Sequence, residues 1–158
     1  MTAFTTFVRP LLEYASCVWS PYNITLITKL ESVQRSFTKK LTGLRQLTYT
    51  ARLKYLKIDS LEIRRLKADL LMYYKILWGW VDLDVSTFFS MSNSQITRGH
   101  SFKLNKPLCK NSHQLGWFNH RAVTAWNALP ENIVTSSSPA AFKRMLRSAN
   151  LSNYCTFY

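Results

Sequence analysis

The fold class this sequence predicts is mainly α: a helical bundle, then a loop-rich tail with room for a short β-ribbon and two further helices. Three observations predict it. Apolar residues recur every three or four positions through most of the chain, the spacing of one helix face. Only 4 glycines and 5 prolines interrupt 158 residues, so long segments carry no breaker. Capping residues stand where several of the periodic runs begin. With 47% hydrophobic residues and 14% Phe, Trp and Tyr, the chain can bury a core and is no disordered tract.

The elements follow in order. From Ala3 to Trp19, the residues Phe4, Phe7, Val8, Leu11, Leu12, Ala15 and Trp19 trace a helical stripe in which Pro10 should kink the helix or mark a boundary and which Ser20-Pro21 should end. A second helix starts near Ile24, with Ile27, Leu30, Val33, Phe37 and Leu41 inward, Lys29, Arg35, Lys39 and Lys40 elsewhere on its surface, and Gly43 just past its end. A short third helix, Thr48 to Leu56, should turn Leu53 and Leu56 inward and leave Arg52, Lys54 and Lys57 to solvent. Asp59 or Ser60 then caps the longest run, Leu61 to Trp80, whose first turn holds Glu62 and whose end holds Gly79. Past Asp82 the periodicity gives way to Ser, Thr and Asn, a loop around Ser90 to Gly99. The alternation His100-Ser-Phe-Lys-Leu-Asn leaves room for a short extended ribbon between Arg98 and Pro107. Leu115, Phe118, Ala122, Val123, Trp126 and Leu129 define a tail helix closed by Pro130. In the last helix, Ser138 caps, Pro139 opens, and Phe142, Met145 and Leu146 face in. The resulting regions are a basic helical part over 1–81, a loop-rich connector over 82–113 and a helical tail over 114–158.

The formal charge is +13, from 21 Lys and Arg against 8 Asp and Glu. A polyanion would offset that self-repulsion, and nucleic acid is the commonest one, since binding phosphates releases condensed counterions. An anionic membrane surface or simple solubility are the plainer alternatives. The cations concentrate at Arg35, Lys39, Lys40, Arg45, Arg52, Lys54, Lys57, Arg64, Arg65 and Lys67, faced locally only by Asp59 and Glu62. Side chains so placed would reach successive phosphates with little reading of bases; a solvated basic surface is the alternative. Trp19, Trp78, Trp80, Trp117, Trp126, Tyr73 and Tyr74 have the chemistry to stack on unpaired bases, although core packing is the better reading of each.

Other chemistries find little support. Cys109, His113 and His120 lack the close cysteine pair of a structural zinc site. Asp82 and Asp84 read as a solvated acidic turn more readily than as a metal carboxylate pair. No nucleophile elbow, phosphate loop or HExxH pattern frames a catalytic residue, so no cofactor, metal or active site is expected. Cys17, Cys109 and Cys155 are odd in number and far apart, which fits a reducing, intracellular compartment, and no apolar run or leader-like N-terminus calls for a membrane.

The stretch VRPLLEYASCVWSPY over 8–22 resembles the end of the polymerase region in non-LTR retrotransposon reverse transcriptases, and is similar to jockey-like elements. LESVQRSFTKK over 30–40, LEIRRLKADLLMYYKIL over 61–77, TRGHSFKL over 97–104 and FNHRAVTAWNALP over 118–130 are similar to successive family stretches in the same order. The chain departs from the pattern at Cys17, commonly Pro, and at Gly116 to His120. The resemblance implies the thumb-like helices and C-terminal tail that follow fingers and palm. It also implies a nuclear setting for the parent protein. The family's catalytic Asp pair lies upstream of the matching segments, so this chain alone is not expected to be an enzyme.

The expected function is that of a non-catalytic piece of an RNA-directed DNA polymerase, gripping RNA or DNA backbone. Arg35, Lys39, Lys40, Arg64 and Arg65 are the first candidates for phosphate contact, with Arg98, Lys103 and Arg121 second. Two rivals remain: a module docking by apolar helix faces on the palm of a polymerase chain, and a genomic remnant with no selected role, since Met1 falls inside the family pattern.

Overall fold

A computed structural model describes residues 1–92, 99–106 and 108–157. The protein is mainly helical, and it divides into two compact units, Met1–Arg65 with Ser152–Tyr158, and Leu66–Leu151.

In the first unit the N-terminal run has a boundary beside Pro10 and a second one further on: a π-helical stretch Phe4–Val8, then α1 (Arg9–Glu13) and α2 (Ser16–Trp19). Pro10 sits in the first turn of α1, where its missing N–H costs nothing. Ala15 breaks the chain again by adopting a left-handed φ of 49°. Of the seven apolar residues expected inward only Phe4 is buried, stacked on Phe37 at 4.6 Å.

Helix α3 (Ile24–Lys39) begins at Asn23, whose side chain accepts from the Thr25 amide at 2.8 Å. Its buried line is Ile27, Glu31, Gln34 and Thr38, while Val33, expected inward, is exposed. The inward face is thus rotated from the apolar stripe onto a polar one, for which partners exist. Glu31 accepts from the Tyr49 hydroxyl and from the amides of Leu61 (3.1 Å) and Glu62 (3.2 Å). Gln34 Nε2 donates to Tyr49 Oη (3.1 Å) and to the Asp59 carbonyl (3.0 Å). Helix α4 (Tyr49–Leu56) is capped by Thr48 and ends on Lys57, left-handed at φ 53°.

Helix α5 (Leu61–Leu77) starts in the first unit and continues into the second. Ser60 Oγ accepts from the Ile63 amide at 3.2 Å, and Gly79, at φ 65°, lets the chain turn away so that the Trp80 amide reaches the Lys75 carbonyl at 2.8 Å. The cap and the glycine stop both stand where the sequence put them.

The second unit packs α5 residues against the tail around an aromatic core. Trp126, Tyr73, Tyr74 and Phe142 are fully buried, with Tyr74 stacked on Phe142 at 4.5 Å. Each polar tip is satisfied: Tyr73 Oη donates to the Phe118 carbonyl (2.6 Å), Tyr74 Oη to that of Ser136, and Trp126 Nε1 to that of Phe102 (2.9 Å). After α6 (Val85–Phe88), the expected ribbon reduces, among the described residues, to one antiparallel bridge between Met91 and Leu104. Asn127 takes the place of a second strand for Leu104, accepting from its amide at 2.9 Å and donating to its carbonyl at 2.8 Å. The tail helix expected across 115–129 is split into α7 (Phe118–Arg121) and α8 (Val123–Asn127). Pro130 closes it and caps a further turn, α9 (Glu131–Val134). Helix α10 (Pro139–Met145) matches its sequence signal, with Ser138 Oγ accepting from the Ala141 amide at 3.2 Å.

Candidate nucleic-acid interface

The cations predicted to touch phosphate divide sharply by what the fold does with them. Lys39 and Lys40, at the end of α3, are exposed. With Ser36, Leu41, Thr42, Gly43 and Arg45 they line an open groove where the last turn of α3 meets the turn that follows. Gly43 makes that turn at φ 79°, a conformation that disfavours any residue with a Cβ. Two ammonium groups, a guanidinium and the hydroxyls of Ser36 and Thr42 give the groove donors suited to phosphate oxygens. Lys29, Lys54 and Lys57 are exposed elsewhere on the same unit.

The arginines of this unit are largely occupied by their own protein. Arg64 makes a bidentate pair with Glu13, through Nε and, at 2.8 Å, through Nη2. That carboxylate holds the Arg64 guanidinium above its ordinary range. Arg65 is buried at 2% exposure, and its charge helps keep Glu31 ionised. Arg35 is half-buried, its guanidinium over the rings of Tyr49 (5.2 Å) and Phe157 (5.1 Å). Arg52, expected in solvent, is buried. It donates to Thr38 Oγ1 (3.2 Å) and to the carbonyls of Leu47 (2.7 Å) and Arg35 (3.4 Å). The reason is local: two carbonyls and a hydroxyl converge on this position, and a planar guanidinium with five donors meets all three, which a lysine ammonium does less well.

In the second unit Arg121 is clamped by Asp69 at 2.8 and 2.7 Å, donates to the Gly116 carbonyl at 3.1 Å and lies over the Phe118 ring. Lys103 is half-buried beside Gly99. Arg98 lies outside the described residues. The structure therefore gathers Lys39 and Lys40 with Arg45, a residue named in the basic run but not among the first candidates. The signal for Arg45 was its position in a turn after a helix end, where no neighbouring helix covers the side chain.

The buried carboxylate of Glu31 is the electrostatic centre of the first unit. Burial pushes its acid strength down, and the hydrogen bonds from Tyr49, Leu61 and Glu62 pull the other way. Its position in front of the first amides of α5 also meets the positive pole of that helix. Glu62 continues the chain of contacts by accepting from the amides of Thr156 (2.8 Å) and Phe157 (3.0 Å).

Of the aromatic residues weighed for base stacking, Tyr73, Tyr74 and Trp126 are core, Trp78 is half-buried against that core, and Trp19, Trp80 and Trp117 are exposed. Asp84 caps α6, its side chain accepting from Ser86; those hydrogen bonds hold it below the usual carboxylate range. Among the described residues no three His, Cys, Asp or Glu side chains gather as metal ligands, and no helix is long and apolar enough to cross a membrane. No protein family, no curated protein and no solved structure matches this chain.

Proposed function

We propose that this chain is a non-catalytic, C-terminal fragment of a retrotransposon-type reverse transcriptase that holds the backbone of RNA or DNA against the first unit. The observation that carries the reading is the groove at the end of α3, where Lys39, Lys40 and Arg45 are exposed together beside Ser36 and Thr42. Contacts of this kind bind phosphate without reading sequence. The grip is formed by lysines and one turn arginine, while Arg64, Arg65 and Arg121 hold the fold. Titration of the chain with labelled RNA and duplex at several salt concentrations tests this. Charge reversal at Lys39, Lys40 and Arg45 together should weaken binding and flatten the plot of log affinity against log salt by about 2 to 3 units of slope. Unchanged affinity and slope would remove the proposal.

A second reading, docking on a polymerase palm, is favoured by a separate observation. Phe7, Leu11, Tyr14 and Val18 are all more than 70% exposed. Large apolar side chains exposed together over one short segment are candidates for an interaction site. The resemblance makes the palm of the parent polymerase the occupant. Under this reading Phe7→Glu with Leu11→Glu abolishes co-elution with a jockey-like palm fragment and leaves RNA binding intact; co-elution that survives both changes rules it out.

A further inference from the structure

The second unit contains a thiol and an imidazole in direct contact. Cys109 Sγ lies 3.0 Å from His120 Nδ1, close for a hydrogen bond involving sulfur. His120 is 9% exposed on α7, its amide bonded to the Trp117 carbonyl at 3.0 Å. The Trp117 indole stands edge-on to the imidazole, 90° between planes and 5.9 Å between centroids. Packing on this side holds the ring with Nδ1 towards the sulfur. Cys109 itself is half-buried, and Lys106 and Lys110, close by in sequence, are exposed. A base held against a thiol in electropositive, partly open surroundings is the arrangement that activates cysteine as a nucleophile.

We propose that Cys109 is a covalent modification site for small, soft electrophiles, with His120 as the group that takes its proton. With a haloacetamide the sulfur attacks the methylene carbon. The S–C bond forms as the C–I bond breaks, iodide leaves with the electron pair, and the thiol proton passes to Nδ1 and then to water. The other cysteines give an internal contrast. Cys155 is half-buried, and burial together with the nearby Glu62 carboxylate pushes its thiol up to about 12. Cys17 is half-buried in α2 and serves as the reference.

The test is limited alkylation of the full chain with iodoacetamide at neutral pH, read at each cysteine by peptide mass spectrometry, in buffer and in urea. Cys109 should react about tenfold faster than Cys17, and more so than Cys155, a modest share of what a positioned base contributes. It should also react faster in the folded chain than in urea. Burial alone slows a half-buried thiol on folding, so only activation reverses that order. A folded-state rate at Cys109 no greater than at Cys17, or no greater than in urea, overturns the proposal. His120→Gln should lower the Cys109 rate about tenfold and leave Cys17 unchanged; a Cys109 rate that does not fall overturns the role of the imidazole. Should that variant unfold, all three thiols react alike, and the comparison of native with urea rates in the unaltered chain decides.

Discussion

The two units solve the burial problem with different chemistry. Leu66–Leu151 excludes water with rings, and its polar tips each find a single carbonyl. Met1–Arg65 instead buries Glu31, Gln34, Thr38 and Arg52, tied by hydrogen bonds between residues up to 31 apart in sequence, with the Arg65 charge beside Glu31. An apolar core loses stability in proportion to the area and volume removed, whereas a buried polar network fails when one partner leaves the rest unsatisfied. The contrast bears on function, because a unit that uses its arginines as internal ties has only the remaining cations to offer a polyanion.

Four changes would sharpen or break that contrast, in descending size. Trp126→Ala should cost about 3–5 kcal/mol in urea unfolding, a large part of the stability of a domain this size. A loss below about 1 kcal/mol would mean the aromatic cluster does not hold its unit. Glu31→Ala should cost about 3 kcal/mol by stripping acceptors from Tyr49, Leu61 and Glu62, and Glu31→Gln less, since an amide oxygen still accepts. Equal losses for the two would show that the carboxylate charge or its second acceptor oxygen, which Gln lacks, carries the effect, since Gln keeps the side-chain volume.

The third concerns pH. Burial holds the fully enclosed His100 below its ordinary value of 6.5. The unfolded chain therefore takes up a proton there that the folded chain refuses, so stability is present above pH 6.5 and declines as pH falls below it. His100→Gln should flatten that part of a stability profile; a slope that persists assigns the acid sensitivity elsewhere. Glu31 works in the opposite sense: its raised folded-state value makes the ionised form a burden that grows as pH rises above 4.5, so the two groups are separable. Smallest of all, charge reversal at the exposed Lys39, Lys40 and Arg45 should change stability by no more than about 0.5 kcal/mol per site, and a larger loss would place them among the structural ties.

Much of the helical layout was readable in advance, because its causes are local. The Ser138 cap, Ser60 ahead of Leu61, and the glycine stops at Gly43 and Gly79 depend on bonds spanning a few residues. In the N-terminal segment periodicity counts apolar positions and registers neither the π-helical stretch Phe4–Val8 nor the left-handed Ala15, and of the apolar stripe only Phe4 is buried. Helix α3 was misread in part because its periodicity permits two faces, one apolar and one polar, and apolar residues were assumed to win. The candidate interface was legible as a basic region but not as a residue set: Lys39 and Lys40 remained at the surface while Arg64 and Arg121 were claimed by Glu13 and Asp69.

What the sequence determined by itself is the helical class, the cap at Ser138 and the glycine stops, the aromatic character of the tail and the excess of positive charge. Only the tertiary structure decided which charges are spent inside and which remain for a partner. Charge neutralisation in a fold depends on carboxylates distant in sequence, Glu13 from Arg64 by 51 residues and Asp69 from Arg121 by 52, and no local pattern encodes that meeting.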